Sequence, residues 1–227
     1  FVSKATGMPL AKIAAQIMAG KKLADFQLVN PDELKYICVK EAVLPFSRFS
    51  GVDIILSPEM KSTGEVMGIA TSFGAAFAKS QMAANQALPK AGKVFISVND
   101  HDKRDVAFIA KKLEDLKFKI MATKGTAKAL RSAGIDVMII DKHHEGENNA
   151  LTLAKKGEIN LIINTPSGKK SQSDMRVIRA AAILHNIPCI TTLQGAWAAV
   201  NGIEASIKED FSVESLQILY QTKLEVH

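Results

Sequence analysis

Residues 118–135 read FKIMATKGTAKALRSAGI. An apolar, β-favouring run gives way to Thr123-Lys124-Gly125-Thr126, and an alanine-rich helical pattern begins at once. A strand that ends in a small-residue turn and opens a helix aims several backbone N–H groups at one point, here beside two hydroxyls and a lysine. Such a place suits an anion.

The same rhythm continues on both sides of this stretch. "KVFISV", "KIMAT", "DVMIID", "LIINTP" and "CITT" read as strands. They alternate with helical patterns in "KRDVAFIAKKLEDLK", "TAKALRSAG", "NALTLAKKG", "SDMRVIRAAAILHN" and "GAWAAVNGIEAS". Five strands alternating with five helices predict an α/β fold, a Rossmann-like five-stranded parallel sheet covered on both faces. Crossovers in such units are right-handed, so ligand loops gather at the carboxyl edge of the sheet. We place this unit at about 92–206, with a tail after it.

Reading only the strand ends yields the candidate ligands. Asp100, His101, Asp102 and Lys103 come after the first strand, and Thr123, Lys124, Gly125 and Thr126 after the second. Lys142, His143 and His144 come after the third; Asn164, Thr165, Ser167, Gly168, Lys169 and Lys170 after the fourth; Thr191 and Thr192 after the fifth. Lysines recur from loop to loop and carboxylates are few. Threonine and backbone donors that fix oxygens, with lysines that neutralise charge, describe a site for a phosphorylated small molecule. Proton transfer would need an acid or base beside the anion. "DKHHEGENN" offers His143, His144, Glu145 and Glu147, which also reads as a polar surface loop. The fourth strand runs into "NTPSGKK", without a carboxylate, which favours binding without catalysis.

Residues 1–89 are less regular. "PLAKIAAQIMAG" has helical spacing and stops at Gly20, "YICVKEAVLPF" reads as a strand ending in Pro45, and "SPEMKSTGEVMGIA" as a loop entering a second strand. "SFGAAFAKSQMAANQA" reads as a helix capped by Ser72. These elements make a poor independent core and suggest the end of a larger domain, joined to the parallel-sheet unit through the short "NQALPKAGK".

Composition limits the alternatives. With 227 residues, 47% hydrophobic and 23% charged, the chain is long enough for one large or two small domains. No apolar run nears the roughly 20 residues of a membrane span, and no signal pattern opens the chain, so no membrane partner and a cytoplasmic location are expected. Cys38 and Cys189 are solitary, which indicates neither a disulfide framework nor a metal site. A net charge of +6 raises nucleic acid as a partner, but the lysines are dispersed and aromatics are 6%, so none is expected. A nucleic-acid-binding module stays as an alternative whose binding would fall steeply with salt.

"FVSKATG", "VKEAVLPFSRFSGVD", "SPEMKSTGEVMG", "ATKGTA", "KHHEG" and "IINTPSGKK" with "RVIRAAA" after it resemble, in that order, the carboxyl-terminal part of the large subunit of bacterial carbamoyl phosphate synthetase. The resemblance covers essentially the whole chain. It implies that residues 1–89 are the α+β tail of the second ATP-grasp domain and residues 90–227 a methylglyoxal-synthase-like allosteric domain. It also implies a parent ligase making carbamoyl phosphate from bicarbonate, glutamine-derived ammonia and two ATP, for pyrimidine and arginine synthesis. ATP, Mg2+ or Mn2+, and K+ would serve the full-length enzyme, with no cofactor, catalytic residue or metal ligand in this part, because the family's ATP and metal ligands lie before the position of Phe1. The partners implied are the rest of the large subunit and the glutaminase small subunit.

By the same resemblance, the nucleotide effectors UMP and IMP would be held by Lys103, Thr123, Gly125, Thr126, Lys142, Asn164, Thr165 and Lys169. Pro166 stands where the family usually has a second threonine, removing a hydroxyl and an N–H from that loop. Glu41 and Thr191 match the family's ornithine site, although Cys189 replaces an aromatic residue there, and Glu41 also reads as an exposed strand-edge carboxylate. Methylglyoxal synthase, a lyase of the same fold, resembles "ATKGT" too. Its catalytic aspartate comes after a glycine where Glu147 comes after Gly146 here, and "NTPSGKK" replaces its second acidic motif.

Overall fold

A computed structural model describes residues 1–43, 64–141, 149–165, 177–178 and 180–224. Helices α1 (Val2–Thr6) and α2 (Leu10–Met18) come first. Ala19 caps α2, and Gly20 then turns the chain at φ +102, as its position after the helical pattern predicts. Strands β1 (Ile37–Val43) and β2 (Gly64–Ala70) pair antiparallel, from Ile37 opposite Ala70 to Val43 opposite Gly64.

Helix α3 (Phe73–Ala83) begins at Ser72, whose hydroxyl accepts the Ala75 N–H as the sequence predicts. The helix lies directly on β2 at Gly68, where a Cβ would come within 1.9 Å of the Ala76 carbonyl oxygen. Only a residue without a side chain allows that approach.

Then the regular rhythm appears as β3 (Lys93–Val98), α4 (Lys103–Asp115), β4 (Lys119–Thr123), α5 (Lys124–Ser132) and β5 (Val137–Ile140). It continues with α6 (Ala150–Lys155), β6 (Leu161–Thr165), a helical stretch α7 at 177–178 and 180–184, β7 (Cys189–Ile190) and α8 (Leu193–Lys208). Helix α9 (Leu216–Leu224) comes after them, and its Tyr220 hydroxyl donates to the Lys4 carbonyl of α1.

The sheet order is β5-β4-β3-β6-β7, with every neighbouring pair parallel. Apolar alternation along each strand divides the core in two. Val94, Ile96, Ile120, Ala122, Leu161 and Ile163 face α4, α5 and α8. Phe95, Met121 and Ile162 face α6 and α7. Successive connections run outward in one direction through β4 and β5 and in the other through β6 and β7. The reversal opens a crevice between β3 and β6 at their carboxyl ends.

Residues on both sides of position 89 share the first of these cores, which includes Ala78 of α3 and Leu88 with the α8 residues Ala196, Ala199, Val200 and Ile203. Helices α3 and α8 approach at backbone distance, since a Cβ on Gly74 would sit 2.5 Å from the Asn201 carbonyl oxygen. Helix α3 is therefore the piece that joins the β1–β2 pair to the parallel sheet.

Candidate functional site

Strand β4 runs straight into α5 through Thr123, whose backbone is extended and whose hydroxyl makes no cap bond. The first-turn N–H groups of α5 thus lack the side-chain acceptor that commonly takes one of them, and no acidic residue stands in that turn. Lys103, the first residue of α4, reaches to the same spot. Its Nζ lies 3.4 Å from the position a Cβ on Gly125 would take. An ammonium beside the positive end of a helix is repelled by it, and an anion between the two removes the repulsion. Lys103 Nζ pairs with Asp100 Oδ1 at 2.5 Å, and that lysine holds the exposed Asp100 carboxyl below its ordinary range. Any anion bound here would compete with Asp100 for the lysine.

A row of polar side chains borders this place. Ser97 of β3 stands opposite Asn164 of β6. On the other side, Thr123 comes directly after Ala122, the partner of Ile96, so it stands level with Ser97, with Oγ atoms 3.4 Å apart. Alternation puts Thr123, Ser97 and Asn164 on the face that Phe95, Met121 and Ile162 occupy deeper in the sheet. Asn164 is 6% exposed, yet among the described residues its carboxamide has no hydrogen-bond partner. An unsatisfied buried amide costs about 1–3 kcal/mol, which a ligand in the crevice would remove.

Thr126 and Thr165 brace the opposite side of the crevice. Thr126 is 1% exposed and accepts the Val98 N–H at 3.3 Å. Thr165 Oγ1 accepts from both the backbone N–H and the Nδ2 of Asn99, at 3.3 Å each. Asn99 in turn donates to Asp102 Oδ2 at 2.7 Å and accepts the Asp102 N–H at 3.1 Å, which closes the loop that carries Lys103. Both threonine hydroxyls act as acceptors in this bracing.

The structure therefore gathers Lys103, Thr123, Gly125, Thr126, Asn164 and Thr165 around one crevice. Lys142 and Lys169 lie outside the described residues, as do His143, His144, Glu145, Glu147 and Pro166. Ser97 and Asn99 escaped the strand-end reading. Ser97 sits inside the apolar run "VFISV", where a reading that begins after the strand does not look, whereas Asn99 directly after the strand was passed over for the charged residues that come next. Glu41 lies on β1 and accepts from Gln81 Nε2 of α3 at 2.8 Å. Thr191 is exposed just after β7, and no hydrogen bond among the described residues links it to Glu41. No three His, Cys, Asp or Glu side chains among the described residues gather as metal ligands. No helix among them is long and apolar enough to cross a membrane.

The MGS-like domain family matches residues 105–191, which run from the first turn of α4 to the end of β7 and so include most of this crevice. Over 226 residues the chain is 50% identical to the carbamoyl phosphate synthase large chain of Acidobacterium capsulatum, covering 97% of this chain and 21% of that protein. This chain is homologous to the carboxyl-terminal section of the carbamoyl phosphate synthase large chain. It is also 50% identical over 230 residues to the "Carbamoyl phosphate synthase large chain, C-terminal section" of Methanocaldococcus jannaschii, covering 96% of this chain and 37% of that protein. The chain thus spans about a fifth of the full-length carbamoyl phosphate synthase large chains it matches. The solved methylglyoxal synthase of Elizabethkingia anophelis aligns with 56% of this chain and 97% of its own, at 14% identity and a TM-score of 0.42.

Proposed function

We propose that the crevice between β3 and β6 binds the phosphate of a nucleoside monophosphate effector, UMP or IMP, and that the chain is the regulatory part of a carbamoyl phosphate synthase. The observation that carries this reading is the uncapped amino terminus of α5 beside the Lys103 ammonium. Ser97, Thr123 and Asn164 supply the neighbouring polar wall. Lys142 and Lys169 belong to the same ligand set by resemblance, and ornithine is the ligand assigned to Glu41 and Thr191.

On this reading the chain by itself performs no chemistry. Bicarbonate, ammonia and ATP react elsewhere in the large chain, where Mg2+ or Mn2+ and K+ also act, with ammonia delivered by the glutaminase subunit. Helix α3, wedged between the β1–β2 pair and α8, is the element through which an effector could bias the packing toward the synthetic domain. For that bias to act as allostery the ligand must prefer one packing by a finite free energy, typically about 1–3 kcal/mol.

Calorimetric titration with UMP, IMP and uridine tests binding, and equal affinity for uridine and UMP refutes a phosphate-led site. Carbamoyl phosphate formation by the full-length enzyme at subsaturating ATP tests regulation. Thr123→Ala is expected to abolish the nucleotide response and leave effector-free turnover near normal. Loss of effector-free turnover in that variant would place the crevice in the chemistry and overturn the separation of regulation from catalysis.

A further inference from the structure

The loop that carries the crevice lysine reads Asn99-Asp100-His101-Asp102-Lys103, with two carboxylates just before the ammonium. Either of them can pair with Lys103, and either repels an anionic ligand. The structure treats the two differently. Asp100 is exposed and pairs with Lys103, and no other carboxylate among the described residues does so. Asp102 accepts instead from Asn99, whose Nδ2 lies 2.7 Å from its Oδ2.

Asp102 also stands where a helix takes its cap. An aspartate directly before the first turn commonly accepts an N–H of that turn, but Asp102 makes no such bond to α4. Its carboxylate is turned back to Asn99, and Asn99 Oδ1 accepts the Asp102 N–H at 3.1 Å. One carboxamide thus grips Asp102 by both its backbone donor and its side-chain acceptor. A neutral amide does this without adding charge beside the lysine.

Asn99 is itself anchored on the far wall of the crevice. Its N–H donates to the Thr165 carbonyl oxygen at 3.0 Å, and its Nδ2 lies 3.3 Å from Thr165 Oγ1. Thr165 ends β6, on one side of β3, whereas Lys103 reaches Gly125 of α5, which comes after β4 on the other side. The amide that holds the Asp102 carboxylate is therefore fixed on the side of the crevice opposite to the ammonium.

We propose that Asn99 is a positioning residue of the phosphate crevice: it draws the Asp102 carboxylate toward β6 and away from Lys103, so that a phosphate contends with Asp100 alone for the ammonium. This rests on the reading that the crevice binds a nucleotide phosphate. Without the amide, the Asp102 carboxylate is released beside Lys103 and becomes a second competitor.

The test is calorimetric titration of the full-length large chain with UMP, comparing Asn99→Ala, Asp102→Asn, the two combined, and Lys103→Met. Asn99→Ala is expected to weaken UMP binding by about 5-fold, the effect of one exposed ion pair. Asp102→Asn alone is expected to change it by less than about 2-fold, because the carboxylate already lies aside. Added to Asn99→Ala, it is expected to restore affinity to within about 2-fold of the unsubstituted chain. A merely structural asparagine gives no such rescue, since removing a second loop group would add to the damage. Asn99→Ser keeps a short acceptor for the Asp102 N–H and loses the amide donor, so it carries the same expectations if Asn99→Ala fails to fold. Suppose Lys103→Met weakens binding as a phosphate site requires. Unchanged affinity in the Asn99 variants, no rescue by Asp102→Asn, or marked tightening by Asp102→Asn alone then refutes the role of Asn99. If Lys103→Met binds UMP as before, or the unsubstituted chain does not bind it, the phosphate reading falls and the Asn99 proposal with it.

Discussion

Replacing Gly74 by alanine tests the joint between α3 and α8, on which the proposed coupling depends. At an ordinary helix position this change stabilises a protein by up to about 1 kcal/mol, because glycine is the poorer helix former and the looser unfolded chain. Here the new methyl carbon would sit 2.5 Å from the Asn201 carbonyl oxygen and 3.0 Å from its carbon, both backbone atoms that cannot rotate aside. Ordinary contact begins near 3.4 Å, so α3 and α8 must part by close to 1 Å. A gap of about 0.5–1 Å forfeits a quarter to a half of each van der Waals contact across the interface. A clash with two backbone atoms stands in the upper part of the overpacking range, about 2–3 kcal/mol, and subtracting about 1 kcal/mol for helix propensity leaves a net loss of about 1–2 kcal/mol. For a chain of this length that lowers Tm by about 2–8 °C. Thermal unfolding monitored by circular dichroism reads the effect directly. The sign carries the argument, since a Tm at or above that of the unsubstituted chain means the two helices do not meet at Gly74.

Lys103→Met should raise the dissociation constant for UMP by about 10- to 100-fold, measured by calorimetry, with an unchanged circular dichroism spectrum. Asp100→Asn releases Lys103 from its ion pair and should tighten UMP binding by up to about 5-fold, the range of an exposed pair, in the same titration. Acid should weaken the contact between α4 and α8. Glu204 accepts from Lys112 and Lys208 at 2.6 Å each, and these lysines lower its carboxyl from 4.5 to about 2. Stability from this group is complete above pH 4.5 and is lost as pH falls toward 2. Water and salt at the helix surface screen both pairs, so the loss is about 1 kcal/mol, read as a difference between the pH–stability curves of the chain and its Glu204→Gln variant.

The range of each interaction decides how much of this was legible in the sequence. Strand "KIMAT" and helix "TAKALRSAG" announce themselves because period-2 and period-3.6 apolarity are local, and their alternation implies a parallel sheet with ligand loops at one edge. Helix α5 starts at Lys124, two residues before the apolar pattern suggests, because Thr123 turns the backbone and the tertiary core accepts Thr126 on its buried side. The strand-end reading reached Lys103, Thr123, Gly125 and Thr126 from loop position alone. It missed Ser97 because a hydroxyl inside a strand becomes a site residue only when a neighbouring strand sets Thr123 beside it.

The sequence by itself determined the fold class and the strand-to-helix turn after β4, since each depends on residues adjacent in the chain. The tertiary structure alone decided which loops share a crevice, through the strand order that reverses between β3 and β6. It also decided that Gln81 holds Glu41, 40 residues away, and that glycines at 68, 74 and 202 let α3 lie against both β2 and α8. Those contacts join segments far apart in the chain, and no local periodicity encodes which partner a buried amide or a missing side chain will meet.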